Sequence, residues 1–229
     1  MNLHALADAG IWFVILLVSI ALHEFGHAWV ADLRGDPLPR QQGRVTLDPF
    51  AHFDPIGTFL IPGIMIFLPI LMGMNLPIAI IGWGKPVQIS LPNRKTWRMD
   101  DILITLAGPA ANLLIAFIAS IIGGILLGYG ATLDDSGVLQ RVIVPFIYVN
   151  VMLIFFNLIP IPPLDGSHIM RHLVNMKEET YFFLSRNGWW VLLILINIPG
   201  FRKIMGFAIE MLASPFIYLV NLLAGLIRG

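Results

Sequence analysis

The stretch IWFVILLVSIALHEFGHAWVADL, residues 11–33, decides the fold of this chain. It is apolar and long enough to cross a bilayer as one helix, which needs about 20 such residues. Within it, His23 and His27 bracket Glu24. Helical positions four apart share one face, with Cβ atoms about 5–6 Å apart, so both imidazoles can reach one ion. The stretch therefore predicts a membrane helix that carries metal chemistry.

Zinc is the ion that this pattern favours. It accepts neutral imidazole nitrogens at about 2.0–2.1 Å, and a catalytic site offers three protein ligands and leaves a fourth position for water. The chain has no cysteine, so the ligands must be His, Asp or Glu side chains. Glu24 lies beside the histidines, where a carboxylate can act as general base by taking a proton from the attacking water. The sequence predicts a hydrolytic site with one Zn²⁺ and Glu24 as the catalytic residue.

The composition places the whole chain in a membrane. Of its 229 residues, 57% are hydrophobic and 12% are charged, and the mean hydropathy is +0.82. The 14 basic and 14 acidic residues balance, so no net positive field attracts nucleic acid. The first apolar segment carries the chemistry and follows no basic region, so we expect it to be retained rather than cleaved as a signal peptide.

Six apolar segments follow one another with only short polar stretches between them. They lie at residues 11–33, 56–83, 102–129, 142–159, 181–198 and 204–227. We therefore expect one membrane domain over residues 1–229, with its core at about 11–171 and C-terminal helices at about 181–227. The predicted fold is an all-α polytopic membrane protein with about five to six membrane segments, one of them re-entrant, and a small membrane-associated β element.

The second apolar segment, residues 56–83, has basic residues on both flanks. Short cytoplasmic loops collect Lys and Arg, so both ends are expected on the cytoplasmic side, which a single crossing does not allow. Prolines break the segment, which favours a re-entrant excursion buried in protein. The alternative is a kinked span with one loop that violates the charge bias. The residues concerned are Arg34, Arg40, Arg44, Lys85, Arg94, Lys95 and Arg98 in the flanks and Pro62, Pro69 and Pro77 within.

A second polar element, NLIPIPPLDG at residues 157–166, ends the fourth apolar segment. Its prolines stop the helix and free backbone carbonyls at membrane depth, where only protein or a wet cavity can satisfy them. Asp165 lies in this opened region, and an ionisable residue within a membrane is a functional candidate. His23 lies about 18 Å from the outer end of its helix, and Asp165 follows the inner end of its own. Two histidines, one aspartate and a water are therefore expected around zinc in the cytoplasmic half of the bilayer.

These motifs resemble those of the site-2 proteases, zinc-dependent intramembrane endopeptidases, in the short form without PDZ or CBS domains. The resemblance covers about residues 19–171. It implies that His23, His27 and Asp165 bind one zinc ion and that Glu24 is the catalytic base. It also implies a multi-pass cell-membrane protein. The matching segments are HEFGH at 23–27, HFDPIGT at 52–58, GWGKPV at 82–87, AGPAAN at 107–112, where the Gly-Pro pair is expected to open a helix, and 157–166.

Supporting residues are predicted around this site. Asn157 is similar to a family asparagine that helps to hold substrate, and Asn112 is expected to form interhelical hydrogen bonds beside a metal ligand. A peptide bond in a helix is shielded, so a substrate must unwind, and residues 43–47 and 85–90 alternate as short strands that could pair with it. Pro86 would stand at the start or edge of that strand, and Val87 would begin the pairing edge. The alternative is that both segments are plain interfacial loops.

The predicted function is intramembrane proteolysis, with transmembrane proteins as substrates and the lipid bilayer as surroundings. Two other classes stay open at this point: a divalent-metal transporter, which also uses broken helices and intramembrane His and Asp, and a non-catalytic scaffold that only binds transmembrane segments. A polar cluster without metal is a further alternative for the four central residues. The sequence leaves open whether the protein forms an oligomer.

Overall fold

The structure, a computed structural model, describes residues 3–73, 82–93, 95–132, 134 and 137–229. These residues contain eight α-helices and no β-strand. The helices are α1 Leu3–Leu33, α2 Leu38–Gln41, α3 Ile61–Leu71, α4 Trp97–Gly128, α5 Val144–Asn157, α6 Gly166–Leu173, α7 Glu178–Asn197 and α8 Pro199–Arg228. A 3₁₀-helix spans Pro49–His52, and π-helical turns at Pro55–Leu60 and Leu139–Ile143 lead into α3 and α5.

Four helical stretches are long and apolar enough to cross a membrane. They are Leu3–Leu33, Trp97–Gly128, Leu139–Asn157 and Pro199–Arg228. The chain is thus a multi-pass membrane protein, and the predicted all-α polytopic fold is confirmed. The α7 helix is long enough but not apolar enough to meet the same criteria.

The long helix α4 forms the centre of the molecule, with α1, α5 and α8 packed around it. Small residues on α4 let α8 approach closely, as is common between membrane helices. A Cβ atom at Gly124 would lie 2.7 Å from the Leu223 Cβ atom, and one at Gly128 would lie 2.8 Å from the Ile227 Cβ atom. The buried residues Ala116, Leu139, Ile147 and Ala213 fill the core beside this contact.

The crossing of α1 and α4 is equally close and lies at the histidines. A Cβ atom at Gly26 would lie 2.6 Å from the Ala107 carbonyl oxygen, and one at Gly108 would lie 2.4 Å from His27 Nε2. The α4 helix begins at Trp97 and contains Pro109 in its interior, so the Gly-Pro pair does not open the helix as predicted. The glycine next to that proline instead sets how near α4 comes to the imidazoles.

The chain near residue 83 lies at the same place as the chain near residue 55, and the described stretch between them packs against α1. The Trp83 amide donates to the Gly57 carbonyl at 3.0 Å, and the Lys85 amide donates to the His52 carbonyl at 2.9 Å. The apolar helix Pro55–Leu71 is about 26 Å long at 1.5 Å per residue, less than the roughly 30 Å of a bilayer core. Both observations favour the re-entrant alternative over a kinked span. Pro77 and Arg94, which entered the sequence argument, lie outside the described residues.

The predicted β element is wrong for the described part of the chain. Residues 43–47 and 85–90 form no strand. Side chains from other loops bind the backbone of the second segment in place of a neighbouring strand: the Arg44 guanidinium donates to the Lys85 carbonyl, and the Asp36 carboxylate accepts from the Ser90 amide. The alternating pattern is real, but the backbone groups at the two ends of this segment bind side chains rather than a neighbouring strand.

Candidate metal centre

Three potential ligand atoms face one another between α1 and the loop that follows α5. The Nε2 atoms of His23 and His27 are 3.0 Å apart. Asp165 Oδ2 lies 3.1 Å from His23 Nε2 and 3.3 Å from His27 Nε2. Within the described residues this is the only group of three His, Cys, Asp or Glu side chains close enough to hold a metal ion.

The protonation of both imidazoles fits a cation at this point. His27 Nδ1 lies 2.7 Å from the Ile104 carbonyl oxygen, which only accepts, so Nδ1 carries the proton and Nε2 presents a lone pair. His23 Nδ1 likewise donates to Asn112 Oδ1 at 2.6 Å. Two lone pairs and a carboxylate oxygen then point at one spot, and the buried Asp165 Oδ2 atom has no hydrogen-bond partner. A tetrahedral zinc ion places its ligand atoms about 3.3 Å apart, so the three residues fit zinc.

Asn112 belongs to a hydrogen-bonded group with no exposed surface. Its Nδ2 donates to Asn150 Oδ1 at 2.8 Å and to the Ser19 carbonyl at 3.3 Å, which leaves Oδ1 to accept from His23. Asn150 in turn donates to Ser19 Oγ at 3.0 Å. All three polar residues are fully buried. The group links α1, α4 and α5 and fixes the tautomer and orientation of His23.

The prolines after α5 position the carboxylate. The α5 helix ends at Asn157, as the prolines predict, and the chain runs irregularly to Asp165, which caps α6. Here α7 packs directly on the loop, because a Cβ atom at Gly188 would lie 1.7 Å from the Pro162 carbonyl oxygen. Protein therefore covers the loop at Pro162, and Asp165 is held against the histidines.

A cavity of about 820 Å³ opens beside these three residues. Most of its wall is apolar, and α1, α5 and α7 contribute Leu16, Ile20, Leu153 and Ile196 among other residues. Glu24 also lines the cavity, together with His23, His27 and Asp165. The cavity brings the half-buried Glu24 carboxylate, the three candidate metal ligands and an apolar lining into one space.

Comparison with known proteins agrees with this geometry. The model of Peptidase family M50 matches residues 120–196, which include Asp165. "Putative zinc metalloprotease YwhC" of Bacillus subtilis (strain 168) is 36% identical over 189 residues, covering 81% of this chain and 80% of that protein. "Putative zinc metalloprotease Rip2" of Mycobacterium tuberculosis (strain ATCC 25618 / H37Rv) is 31% identical over 221 residues, covering 85% and 77%. No solved structure gives a significant match.

The chain belongs to peptidase family M50, the site-2 proteases. It is a zinc metalloprotease of the membrane, and the expected cofactor is confirmed as Zn²⁺.

The other predicted residues of this site-2 protease divide between the cavity and its support. Asn157, Pro86 and Val87 line the cavity. Asn157 donates to the Leu153 carbonyl of its own helix at 3.0 Å and lies outside the ligand group. Asn112 does not line the cavity, and its Oδ1 atom accepts a hydrogen bond from Nδ1 of His23, the ring nitrogen that does not face the other candidate ligands.

One wall of the cavity is residues 82–91, here called the wall segment. Gly84 lies against the proposed base, because a Cβ atom there would be 2.7 Å from Glu24 Cγ and 2.8 Å from Oε1. Trp83 covers Gly57 on one side and meets Trp189 of α7 on the other, with the two indole centroids 5.2 Å apart. The wall segment therefore joins the re-entrant segment to α7 across the cavity.

Two buried charged residues hold the wall segment at its ends. Arg44, 2% exposed, donates to the Lys85 carbonyl at 2.8 Å, to the Pro86 carbonyl at 3.1 Å and to the Ala51 carbonyl.

Asp36 is only 1% exposed and holds the other end of the wall segment. Its carboxylate accepts from the Ser90 amide at 2.5 Å, from Ser90 Oγ at 2.6 Å and from the Leu91 amide at 3.3 Å. Leu91 has a left-handed backbone (φ 45°), which a leucine adopts at an energetic cost, and Asp36 stabilises it there.

Sequence reasoning missed four residues that shape the site. Arg44 entered as a charge that marks the cytoplasmic side and as part of the predicted strand at residues 43–47, and Asp36 did not enter at all. Gly26 lies inside the His-Glu motif and Gly108 beside Pro109, and both permit the close crossing of α1 and α4. A glycine within an otherwise apolar spanning helix was the available signal, since such positions often mark close backbone approach.

Proposed function

We propose that this site-2 protease is an intramembrane endopeptidase that cleaves peptide bonds in or next to transmembrane segments of other proteins. In this proposal His23, His27 and Asp165 hold one zinc ion and Glu24 is the general base. The observation that carries it is the meeting of three ligand atoms within 3.3 Å beside Glu24, in a largely apolar cavity between membrane helices.

The chain's own groups have separate tasks in this hydrolysis. When bound, zinc polarises the scissile carbonyl and makes water nucleophilic near neutral pH. Glu24 lines the same cavity as the ligands, so it can take the proton of the attacking water and pass it to the leaving nitrogen. Asn112 and the Ile104 carbonyl hold both imidazoles with Nε2 toward the reacting centre. The apolar lining of the cavity keeps most other water away from the reacting centre.

The wall segment supports binding of an unwound substrate. Between the points held by Arg44 and Asp36, the backbone groups of residues 87–89 have no partner among the described residues. An extended substrate could therefore add to this segment through backbone hydrogen bonds, as other peptides add to sheet edges. Pro86 has no amide hydrogen and precedes the free stretch, so it does not interrupt the pairing.

The proposed depth is the cytoplasmic half of the bilayer. His27 lies six residues before the end of α1, about 9 Å along the helix. Arg34, Arg40 and Arg44 follow that end, and basic residues collect in short cytoplasmic loops. The ligand group is thus nearer to the basic side of the molecule than to the other.

The test compares purified wild type, Glu24→Gln and Asp165→Asn in detergent with candidate single-span proteins. Bound zinc is measured by mass spectrometry and cleavage by gel and fragment mass. We expect zinc in wild type and Glu24→Gln, strongly reduced zinc in Asp165→Asn, and cleavage by wild type alone. Cleavage by Glu24→Gln at the wild-type rate would refute the assigned base. Zinc or other ion flux in liposomes without any cleavage would favour a transporter.

A further inference from the structure

The cavity contains three carboxylates but a single strongly basic side chain. Among its described lining residues, Arg171 is the only lysine or arginine. The Asp165 carboxylate faces the two imidazoles of the metal group, and the Asp101 carboxylate is bound by His172 Nε2 at 2.6 Å. The third carboxylate, Glu24, lies with the metal group on α1. None of the recorded ion pairs joins Arg171 to any of these three carboxylates.

The partners of Arg171 are weak for a side chain that is only 18% exposed. Its guanidinium carbon lies 4.9 Å from the centre of the Tyr181 ring. The carboxylate recorded within ion-pair distance belongs to Glu178, at 3.8 Å, and that side chain is 79% exposed. An exposed pair of this length contributes little, so the five N–H donors of the guanidinium keep most of their capacity for a ligand.

Arg171 is nevertheless held in place by the structure that carries the metal ligand. The Tyr181 hydroxyl lies 3.1 Å from Ser167 Oγ, and Ser167, fully buried, donates to the Leu164 carbonyl at 2.6 Å. The ring beneath the guanidinium is thus tied to the residue next to Asp165. An aromatic face under an arginine orients its planar fork and leaves the N–H edges free.

The distance from the reacting centre follows from the helix. Asp165 caps α6, and Arg171 lies six residues further along it, a rise of about 9 Å. An extended peptide advances about 3.3 Å per residue. A substrate that runs along α6 would present a residue about three positions from the cleaved bond to Arg171.

We propose that Arg171 is a specificity-determining residue that binds a carboxylate of the substrate about three residues from the scissile bond. This rests on the proposed function, because it assigns a ligand to the same cavity. Arginine and carboxylate match as paired hydrogen bonds, and the low polarity of the wall strengthens them. The carboxylate can belong to an acidic side chain or to a chain terminus.

The test measures binding without cleavage, so that it is independent of the proposed reaction. The protein is zinc-loaded Glu24→Gln in detergent. The probes are fluorescent single-span peptides of about 20 leucines and alanines, with an amidated C-terminus and one Asp, Asn or Lys moved one position at a time. We expect the Asp peptide to bind at least about 10-fold more tightly than the Asn peptide at one position of the varied residue, as measured by fluorescence anisotropy.

Variants of Arg171 in the same background decide the assignment. With Arg171→Gln the preference for Asp over Asn should disappear, and with Arg171→Glu the Lys peptide should become the tightest ligand. Arg171→Lys should retain part of the preference. Arg186→Gln, an exposed arginine on α7, is the matched control and should behave as the parent does. The zinc content of each variant reports whether the metal site is intact. Tighter binding of the Lys peptide by Arg171→Glu would be a gain of affinity, which misfolding does not produce.

Further binding measurements distinguish an acidic side chain, a chain terminus and a lipid headgroup as the group that Arg171 binds. A peptide with a free C-terminal carboxylate that binds as tightly as the Asp peptide at the same register assigns the site to chain termini. Equal binding of Asp, Asn and Lys peptides by wild-type Arg171 overturns the proposal. So does competition by phosphatidylglycerol alone, with no effect of the peptide carboxylate, since this would make Arg171 a lipid contact. A clear Asp preference without cleavage of any substrate by the active protein would instead refute the proposed function and leave Arg171 as a carboxylate-binding residue of the cavity.

Discussion

The two sides of the cavity are held together in different ways. The histidine side consists of regular helices, α1 and α4, pressed together at Gly26 and Gly108, with a buried asparagine group behind His23. The wall segment opposite has no regular structure, and Arg44 and Asp36 hold it. The first side is rigid through close packing, and the second is set by a few charged contacts.

The difference corresponds to what each side must do. A metal site needs its ligand atoms fixed within fractions of an ångström, which packed helices and buried hydrogen bonds provide. A surface that receives many substrate sequences benefits from exposed backbone groups that any peptide can pair with. Damage to the histidine side should therefore affect zinc, whereas damage to the wall segment should affect substrate binding.

The largest effect is expected from Gly108→Ala. The new Cβ atom would lie 2.4 Å from His27 Nε2 and 2.6 Å from His23 Nε2, so both rings must move. We expect the zinc affinity to fall by at least about 100-fold, measured by competition with a fluorescent chelator. Gly206→Ala on α8, where a Cβ meets nothing within 4 Å, is the control. Normal zinc binding by Gly108→Ala would show that this side is not rigid.

Asn112→Ala should weaken zinc binding less. It removes the acceptor of His23 Nδ1 and leaves Asn150 without one of its partners, while the ligands themselves remain. Loss of such a supporting group costs about 10- to 100-fold in metal affinity, which the same chelator titration measures. Asn221→Ala, an exposed asparagine that bonds only to its own helix, should leave the affinity unchanged. An equally large loss in both variants would contradict the role of Asn112.

Arg44→Ala should affect the wall segment without affecting the histidine side. It removes the contacts to the Lys85 and Pro86 carbonyls, so the wall segment should move while the zinc site stays. We expect KM to rise by about 10-fold, with a smaller change in kcat, unchanged zinc content and faster amide exchange in residues 82–91. Arg40→Ala, which removes a side chain that is 67% exposed and paired with Asp32, is the control, and Arg44→Lys should recover part of the loss. Loss of zinc in Arg44→Ala would show that the histidine side and the wall segment are not held independently.

The smallest effect concerns pH and Asp36. Burial alone would raise the pKa of this carboxyl, but hydrogen bonds from Ser90 and from the Leu38 and Leu91 amides outweigh it, so the pKa lies below its ordinary value of 3.8. A carboxylate with a lowered pKa stabilises the fold above pH 3.8, and this contribution disappears as the pH falls through the lowered pKa. The difference in Tm between wild type and Asp36→Asn should therefore stay constant well above pH 3.8 and shrink as the pH falls below 3.8. A difference that is constant with pH would refute the assignment.

The sequence predicted those parts of the site that depend on local patterns. The spacing of His23 and His27 is a property of one helix, and the prolines before Asp165 stop α5 wherever that helix lies. Hydropathy likewise revealed the spanning helices, because about 20 apolar residues in a row have few alternatives. Each of these inferences needs only neighbouring residues.

The parts that were missed depend on contacts between distant residues. Gly108 matters because α4 crosses α1 at that residue, 81 positions after His27 in the sequence. The strand predicted at 85–90 was wrong because Asp36 and Arg44 supply partners that a period-two pattern cannot reveal. Buried charges in loops are the general signal that was overlooked, since such groups persist only when they are bound.

The closed base of the re-entrant segment has a consequence for how this protein tolerates change. Gly57 and Trp83 are joined by a backbone hydrogen bond, as are His52 and Lys85, so the chain between them begins and ends at the same fixed points. The second of these junctions lies one residue before Pro86, so the position of the wall segment is set from this side by backbone bonds as well as by Arg44. An insertion between residues 86 and 90 would lengthen the stretch between these bonds and the contacts of Asp36, and would thereby displace the surface that faces a substrate.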